Sequence, residues 1–558
     1  MSSSQETAPS QESQSEASEA ASSRSIPNQH HLRQNALGAW SIAMLCIAAI
    51  APAASMLFNV PVIASQAGAA SPLVFVLSAI GVLLLGISVV YFARRLSSAG
   101  GFCTWIRHAL GKEAAFQVGW LLLGSYALFE AALQATVGGS LENAFSSLGF
   151  SLPGGWVMYA LLLTLIVGVL AHFDVKLSLW VMAPFALLEV LVLLVLDGAI
   201  LLKGGASGHD LLHTFTPAGS TLAGIVPGGI LGIGIGMVLG ILAFVGFETA
   251  AAYGEETRHP RRAIPVAMYS LLIGLTVLYV VTSYAATIGV GWQHAGGTLG
   301  NIATAPQQYL VLANHYVGSW LGTALVILVV TSNAASAFAM HQVMARYVFS
   351  MGREQVLPAL FGRAHPRWRS PYIAGWTQTG FTGLVIIFLG FIVQKSNVDG
   401  TVSYALGLPH GAFTQTSGIG SFQWLASVVT MCLLLVYILT NVAVPFFARR
   451  QQEFRVVPHM IVPLASTLLL LLPFASYVLP PLPLIGGWFT ALGFAPTPFP
   501  TNILPFFVVL WIILGLGYAW YLSRHSPERY EQIGLILQHE GAEEAISAKE
   551  TKDQTQEE

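Results

Sequence analysis

Charge is what this chain has least of. Only 9% of its 558 residues are Asp, Glu, Lys or Arg, while 54% are hydrophobic. A soluble domain carries about 25% charged residues, so an ordinary water-soluble globule is excluded. Cysteine is scarce too: Cys46, Cys103 and Cys432 stand far apart, none in a metal-binding spacing. Two fall in apolar runs, so buried free thiols are expected rather than a disulfide framework or a zinc site. No nucleophile–base pair or phosphate loop occurs in a suitable context, and His294, His315, His341 and His410 are separate and unclustered. An enzyme is therefore not expected and no cofactor is implied. Nucleic acid is not expected as a partner, though the net charge of -2 by itself says little about partners.

What is present is apolar sequence in runs near 20 residues long, the length that spans a hydrocarbon core of about 30 Å. The runs are continuous rather than alternating, which excludes an outer-membrane barrel. The chain reads as an all-α polytopic membrane protein with twelve spans, roughly 37–64, 70–93, 115–139, 155–171, 178–202, 227–252, 268–290, 316–344, 373–393, 424–447, 458–479 and 503–522. The stretch 480–502 is Pro-rich and apolar and reads as a loop dipping toward the interface. Residues 1–34 form a polar Ser/Gln/Glu-rich tail, without the layout of a signal peptide, and 523–558 a tail holding nine acids. Both read as disordered cytoplasmic ends.

The positive-inside rule tests the count. With a cytoplasmic N-terminus, 22 of the 24 Lys and Arg fall on the cytoplasmic side, and only Lys203 and Lys395 lie outside. A missed span would scramble that asymmetry beyond it. Both termini are therefore expected in the cytoplasm.

Two spans carry signs of a break. In the first, Pro52 within Ala49-Ile50-Ala51-Pro52-Ala53-Ala54-Ser55 removes a backbone donor and clashes with the previous turn. Two readings compete: a simple kink, or an unwound stretch whose second half-helix turns N–H groups toward an anion such as a substrate carboxylate. In the sixth, glycines at 232, 234, 236, 240 and 246 lead into Phe244-Val245-Gly246-Phe247-Glu248. These glycines serve close helix packing, or they free carbonyls for a substrate ammonium. Breaks in spans one and six fit two inverted five-span repeats, placed at 35–202 and 227–447, followed by two extra helices over 458–522.

Four acids lie in spans: Glu130, Glu189, Asp197 and Glu248. A buried carboxyl couples proton movement to transport, or it locks helices by hydrogen bonding. Glu248, Glu130 and Glu189 are the candidates for coupling or gating. Arg346 closes the eighth span as a gate or an interfacial anchor. Trp120, Phe129, Phe244 and Phe247 are candidate pocket aromatics, against packing as the alternative. Thr331, Ser332 and Ser336 are candidate oxygen ligands for sodium, against hydroxyls bonding back to their own helix.

Together these residues resemble the amino acid–polyamine–organocation superfamily, and within it the bacterial amino acid permeases. The resemblance rests on Phe244-Val245-Gly246-Phe247-Glu248, Glu255-Glu256-Thr257 and Pro260-Arg261-Arg262-Ala263-Ile264-Pro265. It rests also on the loop 97–111 and on Ala345-Arg346-Tyr347 through Gly352-Arg353, Leu357-Pro358 and Pro371. It covers about 35–450 well and the last two spans loosely. It implies a five-plus-five inverted repeat with discontinuous first and sixth helices, working by alternating access. It implies a multi-pass protein of the bacterial inner membrane that carries amino acids, with protons as coupling ion and sodium or exchange as alternatives. Carried onto this chain, Ala51, Ala53, Ala54 and Ser55 meet the substrate carboxylate, and Phe244, Val245 and Gly246, with Phe247 beside them, meet the ammonium. Two departures stand out. Ala-Pro-Ala-Ala-Ser replaces a Gly-rich pair of small residues in the first span, and the fifth span lacks the lysine that some proton-coupled members carry. An antiporter of amino acids or polyamines, and a sensor that binds without transport, are the competing functions.

Overall fold

The computed structural model describes residues 37–96, 101–147, 149, 152–173, 175–221, 229–300, 305–393, 395–396, 402–403, 418–479, 487–488, 503–531 and 533. Most of both tails and most of 480–502 lie outside the described residues. Among the described residues the regular structure is helical, apart from one two-residue strand pair, Lys395–Ser396 with Val402–Ser403, and a bridge between Leu37 and Thr257.

The helices are α1 (Ala39–Ile50), α2 (Pro52–Ala67), α3 (Ser71–Ala93), α4 (Phe102–Leu110), α5 (Lys112–Ser147), α6 (Trp156–Ala171), α7 (Val175–Lys203) and α8 (Gly229–Leu242). They continue as α9 (Pro260–Val290), α10 (Ala305–Tyr316), α11 (Ser319–Arg353), α12 (Tyr372–Ile387), α13 (Gly418–Arg450), α14 (Val462–Val478), α15 (Leu504–His525) and the short α16 (Pro527–Glu531). Among the described residues, ten apolar stretches are long enough to cross a bilayer, the first running 55 residues from Ala39 to Ala93. The loops read at 94–114 and 291–315 instead contain α4 and most of α10. Both helices are short and partly polar, so no apolar run announces them.

The backbone breaks fall where the sequence placed them. Helix α1 stops at Ala51, which adopts φ 52°, ψ 71°, and α2 restarts with Pro52 in its first turn. Pro at that position loses no helical hydrogen bond, so it marks a start rather than a kink. Helix α8 stops at Leu242. Four turn residues follow, and the chain then tightens into a 3₁₀ helix, Phe247–Glu256. The glycines of α8 also serve packing. A Cβ at Gly232 would collide with the Gln66 carbonyl of α2, and one at Gly240 with Ser78 of α3. The packing reading of that glycine-rich run therefore holds.

The core is built around α5, which packs most extensively on α13 and α11. Helix α15 leans on α5 through a reciprocal tryptophan clasp. Trp120 Nε1 donates to the Trp511 carbonyl at 2.9 Å and Trp511 Nε1 to the Trp120 carbonyl at 3.0 Å. The two indoles stack with centroids 4.6 Å apart. Trp120 is thus a packing residue on the far side of α5.

Candidate functional site

At the first break most of the freed backbone groups have a traceable partner. The end of α1 leaves carbonyls without helical donors. Hydroxyls supply two: Ser55 Oγ donates to Ile50 O at 2.8 Å, and Ser336 Oγ of α11 donates to Ala49 O. On the amide side, Ala51 N donates to Ile47 O at 2.9 Å and Ser55 N to Ala51 O at 2.8 Å. Pro52 has no N–H to offer. Ala53 N donates to Glu189 Oε2 at 3.3 Å, so an acid from α7 caps the start of α2. Ser332 of α11 faces the same carboxylate, although its buried hydroxyl forms no hydrogen bond.

The second break is closed on itself. Gly246 holds φ 119°, a conformation that L side chains rarely adopt. Its N–H donates at 3.0 Å to Glu248 Oε2, and Tyr126 of α5 donates through its hydroxyl to Glu248 Oε1 at 3.0 Å. Thr249 Oγ1 donates to Gly246 O at 2.6 Å and lies 3.5 Å from Cys46 Sγ of α1. Glu248 therefore ties the sixth-span break to α5. The two breaks also touch each other: a Cβ on Gly246 would stand 2.8 Å from Ile50 Cγ1.

A cavity lies beside the first break. Its walls include Ala51, Ala54, Ser55 and Asn59 from the first two helices, with Asn333 and Ser336 from α11. Phe129 of α5, a candidate with packing as its alternative, also faces it, while Phe244, Val245, Gly246 and Phe247 are not among its walls. Phe244 instead packs on Tyr279, and Phe247 on Tyr437. Ala53, between two wall residues, points its N–H to Glu189. Among the described residues, no Lys, Arg, His, Asp or Glu lines the cavity. Its free volume of about 20 Å³ holds roughly one water, so an amino acid enters only if the surrounding helices move.

Two polar clusters flank this centre, and the sequence showed neither partner. Glu130 is fully buried and accepts from Gln134 Nε2 at 2.8 Å and from Gln378 Nε2 of α12 at 2.7 Å, while His341 Nδ1 of α11 stands 2.9 Å from it. His341 thus pairs with one buried acid, and among the described residues no group of three His, Cys, Asp or Glu forms. The partner of His341 lies 211 residues away and leaves no sequence signal. Arg346 is buried and makes paired bonds to Glu256 at 2.9 and 3.1 Å. It also bonds Gln342 and covers the Tyr253 ring at 4.6 Å. This is a lock between α11 and the 3₁₀ helix, not an anchor at a lipid interface. Asp197 accepts from the Thr282 hydroxyl of α9. Thr331 turns its hydroxyl back onto Ile327 O and Leu328 O, 3.1 and 3.2 Å away.

The family model described as amino acid permease matches residues 37–523. A branched-chain amino acid permease of Bacillus subtilis is 24% identical over 509 residues, 88% of this chain and 93% of the relative. A methylthioribose transporter of the same organism is 24% identical, covering 64% of this chain and 75% of the relative. A low-affinity putrescine importer of Escherichia coli is 26% identical, covering 54% of this chain and 63% of the relative.

Proposed function

Since this chain belongs to the amino acid permease family, and so is a membrane transporter rather than an enzyme, we propose that it carries small amino-bearing molecules by alternating access. The observation that carries the reading is the meeting of two broken helices: Gly246 lies against Ile50, with the cavity beside the same break. Broken helices facing one another at a repeat interface are how transporters bring bare backbone against a substrate.

Several further features belong to the same proposal. The 55-residue first stretch is long enough for two crossings, and the apolar helix Trp156–Ala171 adds a short one. With the nine other long stretches this makes twelve. Spans one to five and six to ten then form two inverted repeats, with the last two accessory. The termini lie in the cytoplasm of a bacterial cell and the protein sits in its inner membrane, as the distribution of Lys and Arg supports. Ala51, Ala54 and Ser55 face the substrate at the first break, while Gly246 and its neighbours Phe244, Val245 and Phe247 shape the second. Glu248 is the foremost candidate for proton-linked gating, since it bonds the break itself. Arg346 with Glu256 closes the inner side. Of the sodium candidates, Thr331 is engaged with its own helix and Ser336 with Ala49 O, while Ser332 is not, so protons are the first coupling ion to test and sodium the second.

Uptake by purified protein in liposomes tests the reading. Labelled amino acids and amines are offered with and without a pH gradient, a sodium gradient and internal substrate. Flux driven by an inward proton gradient is expected. No flux of any compound under any condition overturns the transporter reading. Flux that requires internal substrate selects exchange instead.

A further inference from the structure

Most of the polar side chains in the cavity wall have spent a donor on the main chain. Ser55 of α2 gives its hydroxyl hydrogen to Ile50 O, Ser336 of α11 gives its own to Ala49 O, and Asn333 Nδ2 donates to Val329 O at 3.0 Å. Each of these three retains acceptor capacity. The fourth polar wall residue is Asn59, about two turns beyond the break along α2. It is 2% exposed, and its Oδ1 is a buried acceptor without a donor.

Such an atom is costly to keep. A buried carbonyl left unpaired carries its full desolvation penalty, while a leucine of nearly the same shape carries none. An unsatisfied group of this kind calls for an explanation, and its position supplies one. The rest of the cavity wall is apolar, with Phe58 and Phe422 in ring contact at 6.0 Å and Phe129 and Leu133 contributed by α5. Those groups offer no hydrogen bond, so Asn59 is where a donor on an incoming ligand finds a partner. Among the described residues the wall also holds no ionisable side chain. A lone amide carbonyl compensates a buried hydroxyl or amide N–H, but not a desolvated ammonium. The donor that suits Asn59 is therefore neutral and belongs to a part of the ligand other than its ammonium.

We propose that Asn59 is a specificity-determining residue: its side-chain carbonyl accepts a hydrogen bond from a neutral donor on the transported ligand, away from the groups held at the two breaks. An analogue without that donor leaves Asn59 unpaired, and a site built to pair a ligand hydroxyl or amide discriminates strongly against such an analogue. The residue gives up stability in the empty protein for selection in the loaded one. This inference rests on the transporter reading above and concerns which ligands the cavity accepts.

The test compares ligands of similar shape that differ by a neutral donor: threonine with valine, asparagine with leucine, and glutamine with methionine. Binding to the purified full-length protein is measured by calorimetry, and flux in liposomes separately. In at least one pair the donor-bearing ligand is expected to bind about tenfold or more tightly, a difference of about 1.4 kcal/mol. Asn59→Leu is expected to erase that preference, yet to melt without ligand no lower than the unmodified protein, since it removes an unpaired buried acceptor. Asn59→Asp, whose carboxylate also accepts, is expected to keep the preference. Equal or weaker binding of the donor-bearing ligand in every pair overturns the proposal, as does an unchanged preference in Asn59→Leu. A lower melting temperature or failed folding of Asn59→Leu makes Asn59 a structural group and overturns it too. Loss of the preference in Asn59→Asp moves the contact to the amide nitrogen and overturns the acceptor assignment. A preference that depends on Asn59 in binding, without flux of any compound, would sink the transporter reading and leave this one standing. Flux with the same selectivity in Asn59→Leu and the unmodified protein would do the reverse.

Discussion

Gly246 is the residue on which the site turns. Its φ of 119° is open to glycine at little strain, and a Cβ there would meet Ile50 Cγ1 at 2.8 Å and Ile50 N at 3.2 Å. Gly246→Ala therefore strains the backbone and pushes the two breaks apart. We expect substrate affinity to fall about tenfold or more, from a strain of about 1–3 kcal/mol. Gly274→Ala on α9, where nothing lies within 4 Å, is the matched control and should bind normally. Equal affinity in both variants would remove Gly246 from the site. Glu248 makes a second prediction at this scale. Its carboxyl bonds Gly246 N and the Tyr126 hydroxyl, so protonation of Glu248 weakens the tie between the break and α5. Glu248→Gln is expected to flatten the dependence of uptake on external pH while leaving ligand binding measurable. A pH profile matching the unmodified protein would reduce Glu248 to a structural lock. The sequence marked both residues because glycine and a lone acid are conspicuous in an apolar run. It gave no hint of Glu189 reaching Ala53, or of His341 reaching Glu130, because those pairs join residues 136 and 211 positions apart.

At the scale of elements, the 3₁₀ helix after the second break is held to α11 by Arg346. The guanidinium makes paired bonds to Glu256, both groups nearly inaccessible. Removing one partner leaves a buried charge unpaired, at a cost of about 3–5 kcal/mol. Glu256→Gln should therefore lower the melting temperature in detergent and raise passive leak of substrate, as an inner gate loses its closed state. Unchanged melting and leak would count against a gate. On the opposite run of chain, residues 204–221 are fastened by Asp210, which bonds His213 at its amide at 2.7 Å. The His213 ring stacks on Trp292 at 4.0 Å. Slight burial raises the Asp210 carboxyl, but the bonds from the His213 side chain and amide outweigh it and leave the group below its usual range. A depressed carboxylate stabilises above its unfolded value of about 3.9 and loses that contribution as pH falls through the lower folded value. The loop should thus stay protected from protease at neutral pH and open only in strong acid. Opening at mildly acidic pH would show that Asp210 does not hold it. Periodicity and punctuation made the long helices and both breaks legible. They did not reveal α4 and α10, whose polar residues read as loop, nor the tryptophan clasp that seats α15 on α5.

For the whole molecule the governing quantity is where positive charge lies relative to the bilayer. Placing 22 of 24 Lys and Arg on one side needs an even number of crossings, and each Lys or Arg held in the hydrocarbon costs about 2.5–3.5 kcal/mol. The sixth crossing is the sharpest place to test this arrangement. It contains the break at 243–246 and is flanked by Leu211, 65% exposed, and by the exposed Arg261. The native cysteines are all buried, so a membrane-impermeant thiol reagent should report only on cysteines introduced at the surface. Leu211→Cys is expected to be labelled on intact cells, and Arg261→Cys only after the membrane is permeabilised. Labelling in the reverse order would invert the whole molecule, and with it the assignment of Arg346 and Glu256 to the inner side. Labelling of both from one side would mean that α8 and the 3₁₀ helix do not cross. The two breaks would then no longer meet at one depth, and the case for a substrate site between them would fall.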